Sequence, residues 1–316
     1  MVINIYQNGQ LGNCLLHLAS FTANALEYEY RLYYLSFPEH YRDYFELLSQ
    51  GSTPSAKVRL AVSEKHFINL YVRKKLVALE HFTARQKRKL PYLSYVSSIH
   101  ASRDRIWYFD LRDPDFLRKA KSGIVFANGW RFHDPESLNK HLPLLRDIFR
   151  PKKQFQERVD LIIKQTRSLA DIVIGVHLRK GDYRSYKDGI WYYDDLVYKK
   201  FMIRLQEIFF EGNKTCIFLI CSDEKINADI FKDMPAICVQ KPEIIDMYAL
   251  ASCDYLIGPP STFSGWSSFY GSVPIYYIED AARVLSIDDM IVGFHKHFTA
   301  MANNAFAIQQ EGILQY

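Results

Sequence analysis

DIVIGVHLRKGDY, residues 171–183, decides the fold of this 316-residue chain. Ile172–Val176 is apolar and rich in β-branched residues, and a short strand is predicted over Ile172–His177. Charges and a glycine follow at once, so the strand ends in a polar turn. Downstream the same alternation repeats. A helix is predicted over Asp195–Phe210, a buried strand over Cys216–Cys221, a helix over Glu243–Ser252 and a strand over Tyr255–Gly258. A helix start at Ser264–Tyr270 and a strand over Val273–Ile278 complete it. Strands alternating with helices imply a parallel sheet and an α/β class. Upstream, residues 134–168 read as helical and rich in charge, interrupted at Arg150-Pro151. This stretch predicts a boundary between domains 1–168 and 169–316. The first domain opens with a strand over Val2–Tyr6, a glycine turn over Gln7–Asn13 and a helix over Cys14–Glu27. Further strands are expected at Ile106–Phe109 and Gly123–Ala127. Residues 56–90 form a basic helical stretch ending Arg85-Gln86-Lys87-Arg88-Lys89; a solvated face and a contact with an anionic membrane or acceptor both give this pattern.

The composition is that of an ordinary globular chain, with 48% hydrophobic and 24% charged residues. Aromatic residues reach 15%, which fits sugars or bases held against rings and equally fits large cores. A net charge of +5 suits a small anionic substrate or a weak membrane-surface contact, and is too small to argue for nucleic acid. Cys14, Cys216, Cys221, Cys238 and Cys253 are odd in number and lack CxxC spacing, so buried thiols in a reducing compartment are expected. The start of the chain has no signal-peptide pattern, and no apolar run is long enough to span a bilayer. A cytoplasmic location is the expectation, with the option of a peripheral seat at the inner face of a membrane.

In an open parallel sheet, ligands bind outside the carboxyl ends of the strands. Four segments fall there. The first is His177-Leu178-Arg179-Lys180-Gly181-Asp182-Tyr183. Arg179 could grip a diphosphate bidentately, Lys180 could add a point charge, and Asp182 could orient Arg179 or act as a base. The second is Ser222-Asp223-Glu224, a pattern a helix cap would share. The third, Pro259-Pro260-Ser261-Thr262-Phe263-Ser264-Gly265-Trp266, places hydroxyls before a helix start, where anions bind. The fourth is Gly9-Gln10-Leu11-Gly12-Asn13, whose glycines allow close backbone approach to a ligand.

Together these segments resemble the α-1,2-fucosyltransferase family, within a wider group that includes α-1,6-fucosyltransferases and protein O-fucosyltransferases. His177-Leu178-Arg179-Lys180-Gly181-Asp182 matches the group's His-x-Arg-x-x-Asp signature at every fixed position, and Tyr183 extends the match toward the α-1,2 type. Ser222-Asp223-Glu224 is similar to the second motif. Asp246–Asp254 leading into Ser261-Thr262-Phe263-Ser264 is similar to the third. Gly9–Asn13 is similar to the N-terminal glycine loop, and Gly129-Trp130-Arg131-Phe132 to a glycine-aromatic segment. The resemblance spans roughly residues 3 to 278, with its motifs in order. It implies a GT-B fold of two Rossmann-like domains facing a cleft. It also implies a GDP-fucose donor, an oligosaccharide or glycolipid acceptor, inversion at the anomeric carbon, and no metal or other cofactor. By position, Arg179 would neutralise the departing β-phosphate and His177 and Asp246 would contact the guanosine. Ser261 and Thr262 would donate to phosphate oxygens, and Gly9, Gly12 and Asn13 would close over the diphosphate. The chain departs from the family pattern at Lys180, usually a second arginine, and at Cys14–His17, usually Gln-x-Phe-Gln. It departs again at Pro260, usually asparagine, and at Gly265, usually the first of two tryptophans.

Asp182, His17 and Glu224 are candidates for the base that the acceptor hydroxyl needs. A last helix is expected to pack back on the first domain. A second reading is a metal-dependent glycosyltransferase that uses Asp113-Pro114-Asp115, an Asp-x-Asp pair able to hold a cation against a diphosphate; a proline turn capping the next helix has the same letters. A third is a nucleotide- or nucleic-acid-binding module built on the basic helix.

Overall fold

The computed structural model describes residues 1–6, 9–50, 53, 55, 57–60, 66–85, 92–97, 109–129 and 131–298, with the backbone alone for 66–70 and 97. Two compact units are present, and among the described residues they run from Met1 to Lys152 and from Lys153 to Phe298.

The first unit runs β1 (Val2–Asn4), α1 (Leu11–Glu27), β2 (Leu32–Tyr34), α2 (Glu39–Arg42), β3 (Val58–Arg59), α3 (His66–Arg85) and β4 (Leu93–Ser97). It continues with β5 (Phe109–Asp110), α4 (Pro114–Ser122), β6 (Ile124–Asn128), β7 (Phe132–His133), α5 (Pro135–Lys140) and α6 (Leu142–Ile148). Five strands form a parallel sheet in the order β3-β2-β1-β6-β4, and β5 pairs with β7 separately. From Leu11 to Ala25, every residue of α1 except Asn13 is buried. A helix enclosed on all sides must pair its polar groups internally. The His17 Nδ1 lies 2.5 Å from the Tyr34 hydroxyl. The Asn24 amide donates to the Asp134 carboxylate at 2.7 Å, and the Tyr30 hydroxyl donates back to Asn24 at 2.8 Å.

The second unit runs α7 (Lys153–Arg167), β8 (Ile172–Leu178), α8 (Asp195–Glu211), β9 (Cys216–Ser222), β10 (Ala236–Val239), α9 (Glu243–Leu250), β11 (Tyr255–Gly258), α10 (Thr262–Gly271) and β12 (Ile275–Tyr277). Its sheet is parallel throughout, in the order β10-β9-β8-β11-β12. Helix α7 packs on α9, so the division falls at Lys152/Lys153, ahead of this helix and not behind it at 168/169. The central pair β8 and β9 is buried along almost its whole length, which is why both read as continuous apolar runs. Gly175 in mid-β8 is a packing requirement. A Cβ there would lie 2.5 Å from a Leu256 methyl and 2.7 Å from a Leu250 methyl.

The edge strand β10 escaped the sequence reading, whereas β12 on the opposite edge falls within the strand expected over Val273–Ile278. β10 is four residues long and only partly buried on the sheet edge, so its apolar run is too short to mark a strand, and Cys238 on it is exposed rather than buried. The other four thiols are buried, and all five cysteines are free. Burial pushes Cys14 up to about 12 and Cys216 up to about 11. Helix α1 starts at Leu11 with Gln10 as its cap residue, so Gly12 and Asn13 sit in its first turn and not in a preceding loop. Gln7, Asn8, the run 86–89, 106–108, Trp130 and the segment after 298, where a packed-back last helix was expected, lie outside the described residues.

Candidate active site

The strand order places the site. From β8 the chain steps outward through β9 and β10, then returns to β11 and β12 on the other side. The carboxyl ends of β8 and β11 therefore flank the point where the winding reverses, the place where open α/β sheets leave a crevice. The loops leaving these two strands are tied together there, because the Tyr183 hydroxyl donates to the Pro260 carbonyl.

Arg179 leaves β8 almost buried. Its guanidinium meets Asp223 at 3.0 Å and Asp182 at 2.6 Å, and packs over the Tyr183 ring. The two carboxylates differ in setting: Asp182 is 52% exposed and Asp223 23%. Asp223 also accepts from the Lys180 backbone N–H at 2.8 Å, so it fixes both the start of the turn and the guanidinium. Gly181 makes room for this, since a Cβ there would lie 2.8 Å from the Asp223 carboxylate. Asp182 pairs with the guanidinium from the more exposed side.

Lys180 was expected to face a phosphate. Its ammonium is instead held by the Tyr193 carbonyl at 2.6 Å and by Asp195 at 2.7 Å, which anchors the turn before α8. Ser222-Asp223-Glu224 splits into three tasks. The Ser222 hydroxyl accepts from the Glu224 N–H, Asp223 holds Arg179, and Glu224 pairs with Arg184 at 2.6 Å.

At β11, Ser261 caps α10 by accepting from the Ser264 N–H at 3.0 Å. Its hydroxyl also lies 3.0 Å from that of Ser264, which reaches the His177 Nδ1 at 2.7 Å. Capping and one buried relay thus account for both serines. Phe263 stacks on the His177 ring, with centroids 4.8 Å apart. Burial, with the nearby Arg179 charge adding, pushes His177 down to about 3, so the imidazole is neutral at physiological pH. Thr262 opens the helix and is buried. Gly265 stands where a side chain would collide with the Phe294 ring, 2.5 Å from a Cβ.

Asp246, in the first turn of α9, is 4% exposed. Burial pushes its carboxyl up to about 7 against the opposing pull of the Lys241 N–H, which points at it from 3.3 Å. Gly9, Gly12 and Asn13 belong to the first unit, where β1 gives way to α1. His17 is no base: it is 1% exposed, packed edge-on against Phe21, Tyr34 and Phe132, and burial pushes it down to about 3. Asp113 caps α4, accepting from the Phe116 N–H at 2.7 Å, and Asp115 pairs with Arg118 and Lys119. The Asp-x-Asp pair is thus occupied as a helix start, and among the described residues no cluster of three His, Cys, Asp or Glu could hold a metal ion.

Sequence reasoning missed Tyr198 and Asp195. The Tyr198 hydroxyl accepts from the Arg179 N–H at 3.3 Å, and Asp195 neutralises Lys180. The one available signal was a tyrosine on the buried stripe Tyr198, Phe201, Met202, Leu205 of α8.

The architecture is similar to solved structures. A GDP complex of an Arabidopsis thaliana FUT1 variant aligns with a TM-score of 0.55 at 15% identity, over 88% of this chain and 70% of that one. The fucosyltransferase NodZ from Bradyrhizobium aligns with a TM-score of 0.51 at 14% identity, over 92% and 98%. No protein-family model and no curated protein sequence matches the chain. At these identities the likeness establishes the fold, an α/β chain of the GT-B type with parallel sheets.

Proposed function

We propose that this chain is an inverting glycosyltransferase that moves fucose from GDP-fucose to a glycan acceptor, with a galactoside and an α-1,2 linkage as the specific form. One observation carries the reading: a nearly buried arginine at the reversal point of the sheet, fixed from behind by Asp223 and in front by the exposed Asp182. The His-x-Arg-x-x-Asp pattern and the fold it shares with fucosyltransferase structures support the same donor.

As the bond from fucose to the β-phosphate lengthens, negative charge grows on the diphosphate. Arg179 meets that charge. The diphosphate displaces the exposed Asp182, while Asp223 keeps the guanidinium aimed. Because the group is positioned before reaction, little reorganisation opposes it, and removing one such donor typically costs about 10²–10³ in rate. Neutral His177, stacked on Phe263 and tied to Ser264, and the buried Asp246 are assigned to the guanosine. Ser222, Ser261 and Thr262 are assigned to the phosphate side, where Ser261 would join donor binding to its capping role, and the Gly9, Gly12, Asn13 segment is assigned to close backbone approach to the donor. Lys180 acts through the loop it anchors.

The test is sugar transfer and donor hydrolysis with GDP-fucose, GDP-mannose, UDP-galactose and UDP-glucose, each with and without EDTA. Turnover of GDP-fucose alone, unaffected by EDTA, is expected, together with loss of transfer in folded Arg179→Ala. Turnover of a UDP-sugar, or wild-type rates from Arg179→Ala, would refute the assignment.

A further inference from the structure

Helix α3 is two-sided in an unusual way. Its inner side carries Leu76 and Val77, packed against the cluster of Ile3, Ile5, Leu35 and Phe126, with Glu80 and Thr83 also buried. At about 100° per residue, Tyr71, Ala78, Phe82 and Arg85 fall on one outward line, with Lys74 and Lys75 to either side. All six are exposed. The large apolar groups are not marginal: Tyr71 is 63% exposed, Phe82 50% and the neighbouring Leu79 37%. The Lys75 ammonium sits over the Tyr71 ring at 5.5 Å, so rings and cations share one surface.

The charge is lopsided as well. From 66 to 89 the sequence holds seven Lys and Arg and a single acid, Glu80, which points inward. This stretch accounts for the whole positive excess of a chain whose net charge is +5. A solvated helix face ordinarily mixes both signs and hides its large rings.

From these observations we infer that the outer face of α3 rests on an anionic membrane surface. Rings at headgroup depth and ammonium groups against lipid phosphates are the contacts such a face is built to make. A polynucleotide would use the cations and leave Leu79 and Phe82 without a role. No helix among the described residues is long and apolar enough to cross a membrane. The inference does not depend on the donor reading, since none of these residues belongs to the sugar-nucleotide site.

The experiment is co-sedimentation of the full chain with phosphatidylcholine vesicles, with and without phosphatidylglycerol. Binding is expected only with the anionic lipid. Lys74→Gln/Lys75→Gln is expected to weaken it roughly 30-fold, about five-fold per cation. Phe82→Trp gives a direct probe of geometry: on vesicle addition its emission is expected to shift to the blue and be quenched by lipids brominated on the acyl chain. Equal vesicle binding by the lysine variant, or unshifted Phe82→Trp emission in sedimented protein, would overturn the inference. So would polynucleotide binding without vesicle binding, or self-association lost in Phe82→Ala. GDP-fucose hydrolysis by the lysine variant reports separately on the proposed reaction.

Discussion

Asp223 offers the sharpest test of the site, because the geometry ranks it above the more conspicuous Asp182. Both carboxylates touch the Arg179 guanidinium, but they differ in environment. Asp182 is 52% exposed, and an exposed ion pair contributes about 1 kcal/mol or less. Asp223 is 23% exposed against a guanidinium that is 11% exposed, and it accepts a second bond from the Lys180 N–H at 2.8 Å. Hydrogen bonds to charged groups at such sites contribute about 1.5–3 kcal/mol. Since about 1.4 kcal/mol is tenfold in rate, freeing the guanidinium from Asp223 is expected to lower kcat/KM by roughly 10- to 100-fold. Asp223→Asn keeps an acceptor for the Lys180 N–H and turns a donor toward Arg179, so it falls inside that range. Asp223→Ala loses both bonds and approaches the Arg179→Ala level. Asp182→Ala stays within about five-fold of wild type. Because the two residues act as one unit, Arg179→Ala/Asp223→Ala is expected to be no worse than Arg179→Ala alone. The assay is transfer from GDP-fucose by variants whose circular dichroism and melting are intact. A folded Asp223→Ala that transfers as well as Asp182→Ala would refute the positioning argument, and collapse of Asp182→Asn alone would make Asp182 the base.

Other expectations are independent of that one. Asp246 has a carboxyl raised to about 7 by burial, so the folded state binds its proton more tightly than the unfolded chain does. The stability this supplies is complete below about pH 4 and lost as pH rises through about 7, a few kcal/mol in total. Asp246→Asn, which keeps the Lys241 contact, should flatten this fall in Tm between pH 5 and 8; a parallel fall in the variant would contradict the assignment. Asp113→Ala removes the α4 cap and should cost about 1 kcal/mol of stability while leaving transfer unchanged; abolished transfer in a folded variant would revive the metal reading. Gly175→Ala forces a methyl against Leu256 and Leu250 and should destabilise by about 1–3 kcal/mol, read from denaturant midpoints; an unchanged midpoint would mean the core yields more freely than its geometry implies.

Much of the second unit was legible in the sequence. β8 and β9 are buried on both faces, so their apolar runs announced them, and the polar turn after Leu178 followed in the chain itself. The first unit was harder to read. Its strands β2, β3 and β7 are two or three residues long, too short for any periodicity to register, and α1 is so enclosed that it has no polar face to mark where it begins. Cys238 misled for a related reason, since an edge strand carries apolar letters without burying all of them.

The sequence by itself determined that strands and helices alternate, that the charged and hydroxyl-bearing turns stand at strand ends, and that one basic stretch holds the charge excess. These are properties of adjacent residues, and hydrophobic burial imprints them locally. Only the tertiary structure decided which carboxylate holds Arg179, that Lys180 turns to Asp195, and that His17 is a core residue. It also showed Ser264 spending its hydroxyl on His177 and the capping serine. Those outcomes depend on partners from different strands and helices, which the register of the parallel sheet brings within hydrogen-bond reach and no local pattern encodes.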